Sequence, residues 1–203
     1  MTKDSNTEQK IKEAAEQIFV KKGLTGARMQ EIADLAGINK AMLHYYYRSK
    51  DKLFEAIFIE LIGDFVPKIF GAMGSDLPID KKVEHYVNEI ISAMTTHPEL
   101  PLFIFNELRN NPKEFINKMG INPGGMLEKI DAQLKEEAET GNIRPIPVHE
   151  FMINMASMCV FPFLAKPMFQ GMFKVDEATF YSIMEMRKKS IPEYIMNSIR
   201  VKN

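Results

Sequence analysis

One stretch near the start of the chain decides the fold: residues 29–53, MQEIADLAGINKAMLHYYYRSKDKL. Its apolar spacing predicts a helix over about residues 29–36, a turn at Gly37 and a second helix over about residues 40–46. Ser49 is a good N-terminal cap for a further helix, which would begin directly after it. Two short helices joined by a glycine turn are typical of a helix-turn-helix, whose second helix enters a DNA major groove.

The two short helices need support from their neighbours, because about 15 helical residues are too few to be stable in isolation. Apolar residues recur at helical spacing on both sides of the stretch. This pattern predicts a first helix that ends at Gly23 and a fourth helix that continues past Leu53. The expected small core consists of Ile18, Phe19, Ile32, Ala33, Ile38, Leu43, Tyr47, Leu53 and Phe54.

Eight residues are candidates for contact with DNA. Reading DNA requires short side chains and donors at the start of the inserted helix, with cations beside it. Asn39 and Lys40 stand at that start, although Asn39 could instead cap the helix. Arg28 precedes the first short helix, and Lys50 lies at a helix N-terminus, where backbone amides also favour phosphate. The full set is Arg28, Gln30, Asn39, Lys40, Ala41, His44, Tyr45 and Lys50.

A longer pattern surrounds these residues, over about residues 10–56: Gly23, Ile32-Ala33, Ala36-Gly37-Ile38, Leu43, Tyr47, Ser49-Lys50 and Leu53. At ungapped spacing it resembles the TetR/AcrR family of bacterial repressors. The resemblance implies about nine helices, with a three-helix DNA-binding domain over residues 1–52. It also implies an effector-binding and dimerisation domain over residues 53–203. The last two helices of that domain, about 147–165 and 176–200, would pair with those of a second copy to form a homodimer.

The composition is that of an ordinary globular protein, with 45% hydrophobic and 26% charged residues in a chain of 203. The first 52 residues contain ten Lys or Arg and seven Asp or Glu, a net charge of +3, whereas the remainder carries −4. A basic end on a mildly acidic body suits local contact with the phosphates of double-stranded DNA. Helical periodicity without strand alternation predicts an all-α class.

Cysteine content and hydropathy bear on the compartment. The single cysteine, Cys159, excludes an intrachain disulfide and suits a reducing cytoplasm. The residues after Met1 are polar and do not resemble a signal peptide, and no run of about 18 apolar residues indicates a membrane span. We therefore expect a cytoplasmic protein without a membrane partner. No cofactor-binding pattern is present, so no cofactor is expected.

Methionine is concentrated after residue 70, where twelve of the fifteen lie. Methionine and phenylalanine line adaptable apolar pockets, which suggests a small, largely apolar effector of unknown identity. The alternative is that these side chains form an ordinary core. The candidate effector-binding residues are His85, Phe103, Phe115, Met119, Met126, Met152 and Met155.

Three alternatives remain at this stage. The protein could activate transcription, since the same docking can recruit polymerase, or it could bind DNA without any effector. A small helical enzyme is a more distant alternative. His149-Glu150 begins like a zinc-protease helix, but Ile153 stands where the second histidine is required. No metal ligand set is therefore expected.

Overall fold

The computed structural model describes residues 2–63, 66–98, 100–110, 112–120 and 122–201, without the side chains of residues 2–5, 110, 115 and 118. Within these ranges the chain forms helices and no strand, which confirms the predicted all-α class. The helices are α1 Thr2–Gly26, α2 Met29–Leu35, α3 Lys40–Tyr46, α4 Lys50–Ile62, α5 Val66–Met73, α6 Ile79–Thr96, α7 Leu100–Asn110, α8 Pro112–Lys118, α9 Pro123–Glu139, α10 Val148–Leu164, α11 Lys166–Phe173 and α12 Glu177–Ile199.

The described residues contain twelve helices, more than the nine or so that the resemblance implies. The additional elements include three short helices, α5, α8 and α11, of seven or eight residues each. Each has a proline at its first or second position. Proline suits the first turn of a helix because its fixed φ is helical and its missing N–H would be unpaired there.

The chain divides into two compact units. The first unit is Met1–Asp64 with Glu99–Gly120, and the second unit is Phe65–Pro98 with Ile121–Asn203. The predicted domain boundary after residue 52 falls inside α4, and the units divide elsewhere. Both α7 and α8 therefore belong to the same unit as the helix-turn-helix, although they are distant from it in sequence.

The first unit is built around α1, which packs against α2, α4 and α7. Four phenylalanines from three of these helices form its aromatic centre. The Phe19 ring meets that of Phe54 edge-on at 5.0 Å between centroids, and Phe54 stacks on Phe103 at 5.4 Å. Phe58 lies 6.2 Å from Phe103. This cluster fixes α7 against α1 and α4, because aromatic pairs add specific geometry to the burial of apolar area.

The second unit is built around α6, which packs against α5, α10 and α12. Its buried stripe includes Val83, Val87 and Ile91, which recur every four residues on one face. The helices α10 and α12 also pack against each other, and a guanidinium nitrogen of Arg187 donates to the Met158 carbonyl at 2.7 Å.

Among the described helices, no single one is long and apolar enough to cross a bilayer. The helices α10 and α11 satisfy the length and hydropathy requirement only together, as a pair bent by 72°.

Candidate DNA-binding interface

The turn between α2 and α3 depends on a backbone conformation that favours glycine. Gly37 has φ of 69°, and a Cβ built there would meet no atom within 4 Å. Glycine is therefore favoured by its left-handed conformation and not by lack of space. The Ile38 N–H then donates to the Ala33 carbonyl at 3.0 Å, which closes the end of α2.

Asn39 caps the N-terminus of α3. Its side-chain oxygen accepts a hydrogen bond from the Met42 N–H at 2.7 Å, which satisfies one of the unpaired donors of the first turn. Asn39 therefore caps the helix, which was the alternative to a DNA contact that the sequence left open. The amide nitrogen of the same side chain is not used in this bond and remains a donor for DNA.

The helix α3, which is described in full, has a single buried residue, Leu43. Lys40, Ala41 and His44 are exposed, and Tyr45 is 81% exposed. Every candidate contact on α3 therefore lies on its outward side. Met42 is also 43% exposed, so it belongs with these residues. The sequence left Met42 open between the groove and the core, because a methionine beside a buried leucine is compatible with either.

The candidate residues outside α3 have different surroundings. Arg28 is exposed at the N-cap position of α2, where its side chain makes no capping hydrogen bond. The Gln30 amide donates to Asp34 at 2.8 Å along the exposed side of α2. Lys50 Nζ approaches the carbonyl oxygens of Thr25 and Ala27, at 3.4 and 3.1 Å. Lys50 thus links α4 to the segment before α2, while its third N–H remains available for a phosphate.

Ionic and hydrogen-bonded contacts fasten α1 to the rest of the first unit. Lys22 Nζ lies 2.9 Å from a carboxylate oxygen of Glu31, and this hydrogen bond lowers the pKa of Glu31. The Tyr47 hydroxyl donates to Glu8 at 3.1 Å. Burial, followed by the contact with Glu8, raises the pKa of Tyr47 above its ordinary value. Tyr47 therefore remains a neutral donor, which suits a structural contact.

The candidate effector-binding residues are divided between the two units. Phe103 and Met119 belong to the first unit, and the Phe103 ring is part of the aromatic cluster described above. The side chain of Phe115 lies outside the described residues. Met155 is fully buried in the second unit, where Met152 is half-buried.

Two grooves of the second unit contain a candidate effector residue. One, of about 840 Å³, lies between α6 and α12 and includes His85. Most of its other side chains are polar or charged: Asp80, Lys81, Glu84, Asn88, Glu185, Lys188, Lys189, Glu193, Asn197 and Arg200. The other, of about 420 Å³, lies between α5 and α9 and includes Met126. The lining of the groove at His85 is therefore mixed, with charged side-chain ends beside apolar surface.

Comparison with known proteins identifies the helix-turn-helix. Residues 11–57 match the family model described as bacterial regulatory proteins, tetR family. The chain is 28% identical over 139 residues to the uncharacterized HTH-type transcriptional regulator YhgD of Bacillus subtilis, covering 66% of this chain and 71% of YhgD. It is 39% identical over 59 residues to the HTH-type transcriptional repressor NicS of Pseudomonas putida, covering 29% of this chain and 28% of NicS.

A solved structure extends the likeness to the whole fold. The hemolysin II transcriptional regulator HlyIIR aligns with a TM-score of 0.64 over 98% of this chain and 99% of that chain, at 18% identity. The fold and the exposed α3 define the class of helix-turn-helix, DNA-binding transcriptional regulators. Within that class, the helix-turn-helix of residues 11–57 is of the TetR-family type.

Proposed function

We propose that this protein is a homodimeric repressor that docks α3 into successive major grooves of a palindromic operator and is released by a small molecule. The observation that carries the proposal is the exposure of α3, in which Leu43 alone is buried. A helix of seven residues that buries one side chain gains little stability from packing against its own chain. Its outward residues are therefore available for a partner.

The chemistry of the exposed surface suits duplex DNA. Lys40 supplies a cation at the start of α3, and small Ala41 allows the backbone to approach a base edge. Tyr45 and His44 lie about one turn later and can donate to phosphate or base. Arg28, immediately before α2, has a planar guanidinium group that can donate two hydrogen bonds to one phosphate.

Recognition of two successive major grooves requires a second copy of the chain. Two recognition helices about 34 Å apart meet successive major grooves on one side of the duplex. The helices α10 and α12 carry apolar side chains that are between 53% and 66% exposed in one copy: Ile153, Phe161, Met186 and Tyr194. On each helix they are eight residues apart, which places both on one helical stripe. We propose that these two stripes form the dimer interface.

Repression is favoured over activation by the relatives, since NicS and the Streptomyces coelicolor protein SCO4008 are both described as repressors. We place effector binding in the second unit, with His85, Met126, Met152 and Met155 as its candidate residues. An effector that binds better to a dimer with altered α3 spacing would shift the population to that state and release DNA. A differential affinity of about 3 kcal/mol would weaken operator binding by roughly a hundredfold.

Selection of bound sequences from random duplex DNA tests the proposal. We expect enrichment of an inverted repeat whose half-sites are separated by about one helical turn, 10 to 10.5 base pairs, or a multiple of it. Enrichment of single, unpaired sites would contradict the dimeric arrangement, and the absence of any enriched sequence would contradict operator recognition. Titration of the enriched duplex with candidate small molecules then tests release.

A further inference from the structure

The helix α1 contains a break at Gly23, whose φ of 65° and ψ of 176° are not helical. In a regular α-helix, each N–H donates to the carbonyl four residues earlier. The Leu24 N–H would then donate to the Val20 carbonyl. The conformation of Gly23 turns these two groups apart, so the Leu24 N–H and the Val20 carbonyl lose each other as helical partners.

Two consecutive residues of α7 replace the missing bond. The Asn106 amide donates to the Val20 carbonyl at 2.7 Å, and a Glu107 carboxylate oxygen accepts the Leu24 N–H at 3.2 Å. Glu107 is 3% exposed. Burial of a carboxylate is unfavourable unless the group is hydrogen-bonded. Glu107 meets this condition because it accepts the Leu24 N–H at the break.

The break sets the direction in which the chain enters the helix-turn-helix. Beyond Gly23 a single helical turn begins, in which the Ala27 N–H donates to the Gly23 carbonyl at 3.2 Å. The helix α2 starts two residues after Ala27. Lys50 holds the end of this turn through the Ala27 carbonyl, while Glu107 holds its start. The segment that precedes α2 is thus fixed at both ends.

We propose that Asn106 and Glu107 are positioning residues for DNA binding, which fix the bend at Gly23 and thereby the direction of α2 and α3. This inference rests on the proposed docking of α3 into DNA. It assigns to α7 a part in the DNA-binding structure, although α7 is about 70 residues away from α2 in sequence.

The experiment compares full-length variants on the enriched duplex, at a temperature at which circular dichroism shows each to be folded. Glu107→Leu removes the acceptor, whereas Glu107→Gln retains a side-chain oxygen for the Leu24 N–H. We expect Glu107→Leu to weaken duplex binding about tenfold and Glu107→Gln to remain close to the wild-type affinity. Leu102→Ala, at an exposed position of α7, is the control and should leave binding unchanged.

Hydrogen exchange of the Leu24 amide supplies a second measurement that does not depend on DNA. The amide should be protected in the wild type and in Glu107→Gln, and should exchange faster in Glu107→Leu. If Glu107→Leu does not fold, Asn106→Ala, at a partly exposed position, takes its place and should weaken binding about fivefold.

Two results would overturn the inference. Folded Glu107→Leu that binds the duplex as tightly as the wild type would show that the bend does not position α3. A loss in Glu107→Gln as large as that in Glu107→Leu would show that the hydrogen bond is not what matters. A wild-type protein without duplex affinity would instead overturn the proposed function, while protection of the Leu24 amide would still report the contact.

Discussion

Leu43 is completely buried, whereas Tyr45, two residues further along α3, is 81% exposed. The two residues therefore separate the roles of this helix. One fixes α3 to the first unit, and the other is available for DNA.

Leu43→Ala should lower the free energy of unfolding by about 2–5 kcal/mol, because it removes buried atoms and leaves a cavity. Tyr45→Ala should change it by less than about 0.5 kcal/mol, since the side chain is exposed, but should weaken binding to duplex DNA. Urea unfolding and fluorescence anisotropy measure the two effects. Equal loss of stability in both variants would contradict the orientation of α3.

Lys40→Ala should reduce the dependence of DNA affinity on salt. If Lys40 neutralises one phosphate, its removal should lower the slope of log K against log salt concentration by about 0.9 for each copy bound. Lys135→Ala, on an exposed part of α9, makes the same change in net charge and is the control. A slope that falls equally in both variants would indicate a general effect of charge without a contact from Lys40.

Tyr194→Glu should dissociate the dimer. In the proposed interface this substitution would bury an unpaired carboxylate, which is strongly unfavourable. Because Tyr194 is exposed in one copy, the fold of the monomer should be retained. Sedimentation equilibrium measures the dissociation constant, with Asn88→Glu on the exposed side of α6 as the control. A dimer as tight as the wild type would place the interface elsewhere.

Cys159 should be unreactive in the folded protein. Burial raises the pKa of its thiol from an ordinary value near 9 to about 12. Between about pH 9 and 12 the thiol is protonated when folded and ionised when unfolded, so it contributes stability that is lost as the pH rises through this range. Alkylation at pH 9 should be slow in the native protein and fast in urea. Rapid native alkylation would show that the thiol is accessible to solvent and would contradict its burial.

The helix-turn-helix could be predicted from sequence almost to the residue. Asn39 and Ser49 cap the helices that follow them, and Gly37 adopts the positive φ of the turn. These are local signals, which act over three or four residues and need no knowledge of the rest of the fold. The long helices α10 and α12 were also predicted within about two residues at each end, because their periodicity is sustained.

The remainder depends on contacts between distant parts of the chain. The first helix breaks at Gly23 as predicted, but Asn106 and Glu107 support the break and a further helical turn continues to Gly26. Periodicity gives no sign of such a contact. The role of Phe103 is similarly invisible in sequence, since an apolar residue at helical spacing can line a pocket or join an aromatic cluster. The effector residues therefore remain a prediction.

Directed cleavage of DNA from α3 tests the central claim most directly. His44→Cys places an exposed thiol on this helix, and the buried thiol of Cys159 should not compete for the reagent. With an iron chelate attached at that cysteine, we predict two cleavage clusters placed symmetrically about the centre of the enriched palindrome. Glu193→Cys, on α12, carries the chelate in the control and should give none. Absence of cleavage from position 44 in a complex that still binds the duplex would contradict the docking of α3 into DNA.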